Sequence, residues 1–358
     1  MTHILLPTGF RDRLPPEADA SARLVRAILD TVAAYGYERV QTPLAEFEAS
    51  LTGALGTSSR DLLRFVDPVS GETMAVRSDI TGQIGRIAQG QLSHHPRPLR
   101  LSYGGPVVKL RASQLRPERE MMQVGAELIG LDTLPAITEV VTVAIESLKA
   151  AGARDLTLDL TLPNLIDTLL PGEDTAGLKA RLDAKDAAAV PAAFRPLIEA
   201  TGLYTEAAAR LRAFDAEGRL ASRLDALDAL VAALPADVRI TLDPTERHGF
   251  EYQSWFGFAL FSEHTAGEIA RGGSYVLGDE PAIGFSAYID PLIDAGLAQG
   301  ERRRLFLPLG TLPQIAAKLR AEGWVTVAAL GEEDTAEAQI CTHILSNGRP
   351  VLRDETTL

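Results

Sequence analysis

Cysteine is almost absent from this chain: Cys341 is the only one in 358 residues. One thiol cannot close an internal disulfide and cannot supply a cysteine-rich zinc site. Histidine is scarce as well. The six are scattered, apart from His94-His95 ahead of Pro96 in a loop-like stretch. No H-E-x-x-H occurs, so no metal site is expected. No stretch approaches the ~18 consecutive apolar residues that a membrane span needs. Met1 to Phe10 have no basic start and no long apolar run, and Pro7 and Gly9 interrupt them, so they do not read as a secretory signal. With the lone cysteine, this fits a reducing cytoplasm. A G-x-G-x-x-G loop is also missing, so no dinucleotide cofactor is indicated.

Positive charge is short too. Lys and Arg number 35 against 48 Asp and Glu, a net charge of −13. Nucleic-acid affinity comes mainly from Lys and Arg neutralising phosphates, so this balance weighs against RNA binding. The densest basic run, Arg302-Arg303-Arg304, is short and reads as a solvated strand end.

What is present is an ordinary globular composition, 46% hydrophobic. Pro15 to Tyr35 predicts a helix, with Leu24, Ile28 and Val32 recurring at i+4 and Gly36 ending it. Asp79 to Ala88 predicts a second helix with Ser78 as N-cap. Strands are expected at Leu99 to Tyr103, Pro106 to Leu110 and Glu120 to Ile129, then a helix at Pro135 to Ala151. Leu156, Leu158 and Leu160 alternate with polar residues as in a half-buried strand. Residues 163–235, rich in Ala, Leu, Asp and Arg, predict a helical insertion. Strand signals resume at Val238 to Leu242, Phe250 to Phe261, Glu268 to Tyr275 and Ala282 to Ala287, with the hairpin-like spacing of an antiparallel sheet. The expected fold is therefore α+β, an antiparallel sheet flanked by helices over 1–301. A small unit follows at 302–358, read as βαβαβ with helices at Leu312 to Glu322 and Asp334 to Gln339 and a tight turn at Asn347-Gly348.

The residues with the most chemistry lie between Arg77 and Gly130. Asp79 and Thr81 place a carboxylate and a hydroxyl at a helix start, where Asp79 would favour the helix dipole. Gln123 and Glu127, four apart on a strand, point to the same side. Among Met122, Val124, Ala126 and Leu128 they either face solvent or converge on a buried polar ligand.

The order of these segments resembles a class II aminoacyl-tRNA synthetase, specifically histidyl-tRNA synthetase. "RVQTPLAEFE" is similar to its first motif, with Pro43 at the dimer-interface proline. "VRSDITG" is similar to R-P-E-G-T, and "LSYGGPVVKLRASQLRPEREMMQVGAELIG" to the second motif through the Q-x-G-x-E strand. "RHGFEYQ" resembles R-G-L-D-Y-Y, "ARGGSY" resembles A-G-G-R-Y, and "PAIGFSAYIDPLI" resembles the third motif. The resemblance runs from about residue 7 to residue 293.

Departures from these motifs decide the functional expectation. The second motif's arginine falls on Lys109, its partner glutamate on Arg111 and a basic loop position on Pro117. The third motif's arginine falls on Pro291, and the arginine of R-G-L-D-Y-Y on His248, with Arg247 one residue away. Arginine suits phosphate because it binds oxyanions bidentately, and losing one donor aimed at a transition state costs ~2.7–4 kcal/mol. No useful adenylation is expected from such a site. The amino-acid side is kept: Asp79 in place of glutamate, with Thr81, Gln123, Glu127 and Tyr275 matching groups that hold the ammonium and imidazole of histidine in that family. The second tyrosine of D-Y-Y is replaced by Gln253. The family's anticodon-binding domain of about a hundred residues has no recognisable counterpart in Arg302 to Leu358.

A synthetase-like chain without ATP chemistry is similar to the regulatory subunits of ATP phosphoribosyltransferase, paralogues of histidyl-tRNA synthetase. The resemblance implies a non-catalytic chain with no cofactor, no tRNA and no membrane association. It also implies a homodimer through the first motif, a hetero-octamer with a short-form catalytic subunit, activation of that subunit, and histidine feedback on histidine biosynthesis. Two alternatives stay open: a divergent histidyl-tRNA synthetase or other class II amino-acid ligase, and a structural partner whose pocket is a relic.

Overall fold

The structure, a computed structural model, describes residues 5–53, 60, 62–110, 118–247, 253–300 and 303–353. The chain forms two compact units, Met1–Gln299 and Gly300–Leu358. The first unit opens with α1 (Glu17–Ala34), β1 (Glu38–Arg39), β2 (Ala45–Phe47), α2 (Glu48–Gly53), β3 (Leu63–Val66), β4 (Thr73–Val76) and α3 (Thr81–Gln89). It continues with β5 (Leu99–Val108), β6 (Glu120–Ile129), α4 (Leu134–Ala150) and β7 (Leu156–Thr161). Then come α5 (Leu165–Leu169), α6 (Ala176–Asp183), α7 (Arg195–Glu199), β8 (Gly202–Leu203), α8 (Tyr204–Phe214) and α9 (Ala221–Ala233). The unit ends with β9 (Arg239–Asp243), β10 (Gln253–Ser262), β11 (Glu268–Leu277), β12 (Glu280–Tyr288) and α10 (Asp290–Asp294).

Among the described residues, nine strands form the main sheet in the order β1-β5-β6-β12-β11-β10-β7-β9-β8. The centre is antiparallel, and two pairs nearer its edges, β1 with β5 and β7 with β9, are parallel. A parallel pair needs a crossover connection, and the helical segment between β7 and β9 supplies it. A second, three-stranded sheet, β2-β4-β3, was not foreseen from the sequence.

The core follows from strand alternation. Val124, Ala126 and Leu128 of β6, with Phe285 and Ala287 of β12, point to one side of the main sheet, where α1 and α4 cover them. The stripe Leu24, Ile28 and Val32 of α1 is fully buried there, beside Val140, Val141, Ala144, Ile145 and Leu148 of α4. Each Leu, Ile or Val side chain among them contributes ~1.5–3 kcal/mol by leaving water. The other side of the sheet carries a smaller apolar cluster under α3, including Ile80, Ile84, Leu101 and Tyr275.

Three local expectations change. The helix expected from Asp79 begins at Thr81, and Ser78 does not cap it; Asp79 Oδ1 accepts the Thr81 N–H instead, at 2.7 Å. The two strands expected at Leu99 to Tyr103 and Pro106 to Leu110 are one. Pro106 pairs with Met122 of β6, and β1 on the other flank reaches only Leu101 and Ser102, so the missing N–H breaks no ladder. The third change lies in the second unit, which holds β13 (Arg304–Leu307), α11 (Pro313–Ala321), β14 (Val325–Ala328), β15 (His343–Ser346) and β16 (Arg349–Leu352) in the order β14-β13-β15-β16. No helix forms at Asp334 to Gln339. There Asp334 Oδ2 accepts the N–H groups of Leu330 and Gly331 at 2.6 and 3.0 Å and holds a turn. A further strand follows the Asn347-Gly348 turn, whose two positive φ angles, +48° and +75°, suit a two-residue hairpin.

Among the described residues no helix is long and apolar enough to cross a membrane. Nor do three or more His, Cys, Asp or Glu side chains gather where they could hold a metal ion.

Candidate functional site

Strand pairing alone aligns the site. Residues opposite one another on neighbouring strands share a face. Glu127 of β6 faces Gly284 of β12, Gly284 faces Gly273 of β11, Gly273 faces Gly257 of β10, and Gly257 faces Thr161 of β7. A row of three glycines therefore runs between a carboxylate and a hydroxyl. A Cβ at Gly284 would overlap Glu127 Oε2, and one at Gly273 would lie 2.7 Å from Gln253 Nε2. The absence of side chains in this row leaves a small cavity whose lining includes Thr81, Glu127, Gln253, Arg271, Tyr275 and Ser286.

Glu127 is only 1% exposed. Three hydroxyls from three elements hold it: Thr81 of α3 at 2.9 Å and Tyr103 of β5 at 3.1 Å donate to Oε1, and Tyr275 of β11 donates to Oε2 at 2.7 Å. Burial pushes its carboxyl up to about 8, the three hydroxyls pull the other way, and the nearby charge of Asp79 adds to the rise. Gln123, fully buried, is equally fixed. Its Oε1 accepts the Ile80 N–H at 3.0 Å, and its Nε2 donates to Asp79 Oδ2 and Ser286 Oγ, both at 2.7 Å. Ser286 Oγ lies 2.8 Å from Tyr103 Oη and closes the network. The side of β6 that carries Gln123 and Glu127 is therefore buried, not solvated.

The five residues expected on the amino-acid side, Asp79, Thr81, Gln123, Glu127 and Tyr275, thus lie in one hydrogen-bonded cluster. Sequence reasoning passed over Tyr103, Ser286 and Arg271. Arg271 was legible in principle, because it shares strand parity with Gly273 and Tyr275. Gln253 lies over the glycine row and donates to Gly272 O at 2.9 Å. Arg77 is buried as a cation, and its guanidinium donates to the carbonyls of Pro106, Thr42 and Pro43 and to the Thr42 hydroxyl. It ties the segment around Pro43 to β5.

The described phosphate-side positions, Lys109 and Pro291, are not part of this cavity lining. Lys109 is exposed just past β5, its Nζ 6.0 Å from the centre of the Tyr288 ring. Pro291 sits in the first turn of α10, beside Asp290, whose Oδ2 accepts the Met122 N–H at 3.1 Å and whose Oδ1 pairs with Arg13. Arg111, Pro117 and His248 lie outside the described residues. The Arg247 N–H is bonded to Asp183 of α6 at 3.0 Å.

Residues 9–292 match the family model for histidyl-tRNA synthetase. The chain is 41% identical to the ATP phosphoribosyltransferase regulatory subunit of Rhodospirillum centenum, over 96% of this chain and 95% of that one. It is 40% identical to the protein of the same name from Paramagnetospirillum magneticum, over 95% and 96%. The chain belongs to the ATP phosphoribosyltransferase regulatory subunit family. As a member it is a regulatory chain, not a catalytic one. Solved structures agree on the fold. An ATP phosphoribosyltransferase regulatory subunit/histidyl-tRNA synthetase from Bacillus halodurans superposes with a TM-score of 0.82 at 23% identity, covering 95% of this chain and 96% of that one. Histidyl-tRNA synthetase from Nostoc gives 0.77 at 16% identity, covering 96% and 91%. The α+β class II synthetase-like architecture expected from the sequence is the one observed.

Proposed function

We propose that this chain binds histidine in the Glu127 pocket and regulates a short-form ATP phosphoribosyltransferase catalytic subunit, activating it and carrying histidine feedback onto the first step of histidine biosynthesis. One observation carries the reading: a buried carboxylate held by three hydroxyls at the end of a glycine row, beside an intact Asp79–Gln123 pair. Acceptors and hydroxyls of this kind suit a ligand with an ammonium and ring N–H donors. The family relation supports the catalytic partner, and the exposed Lys109 and uncharged Pro291 fit a site that no longer handles ATP. In this reading the chain dimerises through the segment around Pro43 and assembles with catalytic subunits as a cytoplasmic hetero-octamer. A ligand shifts such an assembly only by binding its two states unequally, and ~1–3 kcal/mol of coupling is enough for feedback.

The test is co-purification with a short-form catalytic subunit, followed by its activity with and without this chain and histidine. Stimulation by the chain and reversal by histidine are expected; no change in activity defeats the proposal. Histidine-dependent ATP–pyrophosphate exchange by the chain alone would favour the ligase alternative.

A further inference from the structure

Resting on the histidine-binding reading, we propose that Arg271 is the specificity-determining residue that reads the ligand's α-carboxylate. An amino acid brings a negative group as well as an ammonium, and a dry pocket that accepts both needs a cation. Among the described residues, Arg271 is the one positively charged side chain lining this cavity. It lies directly across from Ser286, which in turn lies across from Gly125. This places it one row of the sheet nearer the Gln123–Asp79 end than Glu127 and the glycines. A ligand whose ring lies along the glycine row toward Glu127 therefore directs its backbone groups at the row of Arg271. The arginine is oriented before any ligand arrives: Glu268 accepts from its Nε and Nη2, with both carboxylate oxygens engaged, and so sets the plane of the guanidinium. A fixed planar fork matches carboxylate geometry in a way lysine does not. Lys109 stands away from the cavity lining, over the Tyr288 ring. The fork in β11 thus supplies the charge that the dismantled phosphate side does not.

The experiment is calorimetric titration of the full chain with histidine, histidinol and histamine, of which only histidine carries a carboxylate. The wild-type chain is expected to prefer histidine by on the order of 10–100-fold, the effect of one charge-assisted pair. Arg271→Gln should bring histidine down to the level of histidinol and leave histidinol and histamine unchanged. Arg271→Lys keeps the charge and guards against a folding defect; it should recover only part of the preference. Glu268→Gln, which spares the cation, should retain most of it. If the wild-type chain binds histidine but Arg271→Gln and Arg271→Lys keep the full preference, the Arg271 assignment is wrong and the pocket reading survives. If the wild-type chain binds none of the three, both fall.

Discussion

Strand β6 has two faces, both dry, and they are dry for opposite reasons. Val124, Ala126 and Leu128 lie at 1% exposure or less in the main core. Gln123 and Glu127 are as deeply buried on the other face, among hydroxyls and glycines. Burial drives folding on the first face. On the second it costs free energy, which hydrogen bonds only partly offset. The molecule therefore spends stability from one side of a strand to hold a polar arrangement ready on the other. The first way to break the comparison is on the apolar side. Leu128→Ala should lower unfolding free energy by about 2–5 kcal/mol in urea titrations, while the folded protein keeps the proposed affinity for histidine. A parallel loss of affinity would mean the two faces are not independent.

The polar side gives a comparably large effect with a different signature. The Glu127 carboxyl, normally near 4.5, is lifted to about 8 by burial. Between those values the folded chain keeps a proton that the unfolded chain has released. Stability should therefore fall as pH rises from about 4.5 to about 8 and level off above. Every tenfold difference in proton affinity between the folded and unfolded chain is worth ~1.4 kcal/mol, so the whole slope is on the order of a few kcal/mol. Glu127→Gln should flatten it, making the variant relatively more stable at pH 8 to 9 while weakening histidine binding at least about tenfold. Urea midpoints from pH 5 to 9 decide this, and identical pH profiles for the two proteins would show that Glu127 is ionised in the fold.

Much of this contrast was legible in the sequence, because it rests on periodicity. The i+4 stripe of α1 and the two-residue alternation of β6 are local facts, and both put the right side chains on the right faces. What stayed hidden depends on neighbours distant in the chain. The spacing of Gln123 and Glu127 also fits a solvated face, and only partners from other elements bury them: Thr81, Tyr103 and Tyr275 around Glu127, and Asp79 and Ser286 around Gln123. Parallel pairing of β7 with β9 is set by the crossover between them, which no single strand encodes. In the second unit Asp334 sits at a plausible helix start, yet its carboxylate satisfies the Leu330 and Gly331 N–H groups in a turn, a local competition that composition does not resolve.

A smaller effect separates the hydroxyls from the carboxylate they serve. Tyr275→Phe removes one donor to Glu127 Oε2 and leaves the ring in the apolar cluster under α3. The expected cost is about 1–2 kcal/mol. The Tyr275 hydroxyl bond is among the influences holding the Glu127 carboxyl down, so its loss should carry the falling limb of the stability profile to higher pH. Thermal unfolding at pH 7, 8 and 9 tests both parts. An unchanged profile would place the proton elsewhere in the cluster.

The smallest effect is expected at Lys109, outside the cavity lining, and there a near-null result is the informative one. Lys109 is exposed and contacts the Tyr288 ring at long range, an arrangement worth about 0.5–1 kcal/mol. Lys109→Ala should change the proposed histidine affinity by less than about twofold, since an exposed cation outside the cavity lining adds little to a ligand held inside it. The same titration that reads Arg271 reads this variant. A tenfold loss of affinity would bring Lys109 to the ligand, make the carboxylate a shared charge, and overturn the proposed division between an amino-acid side and a phosphate side.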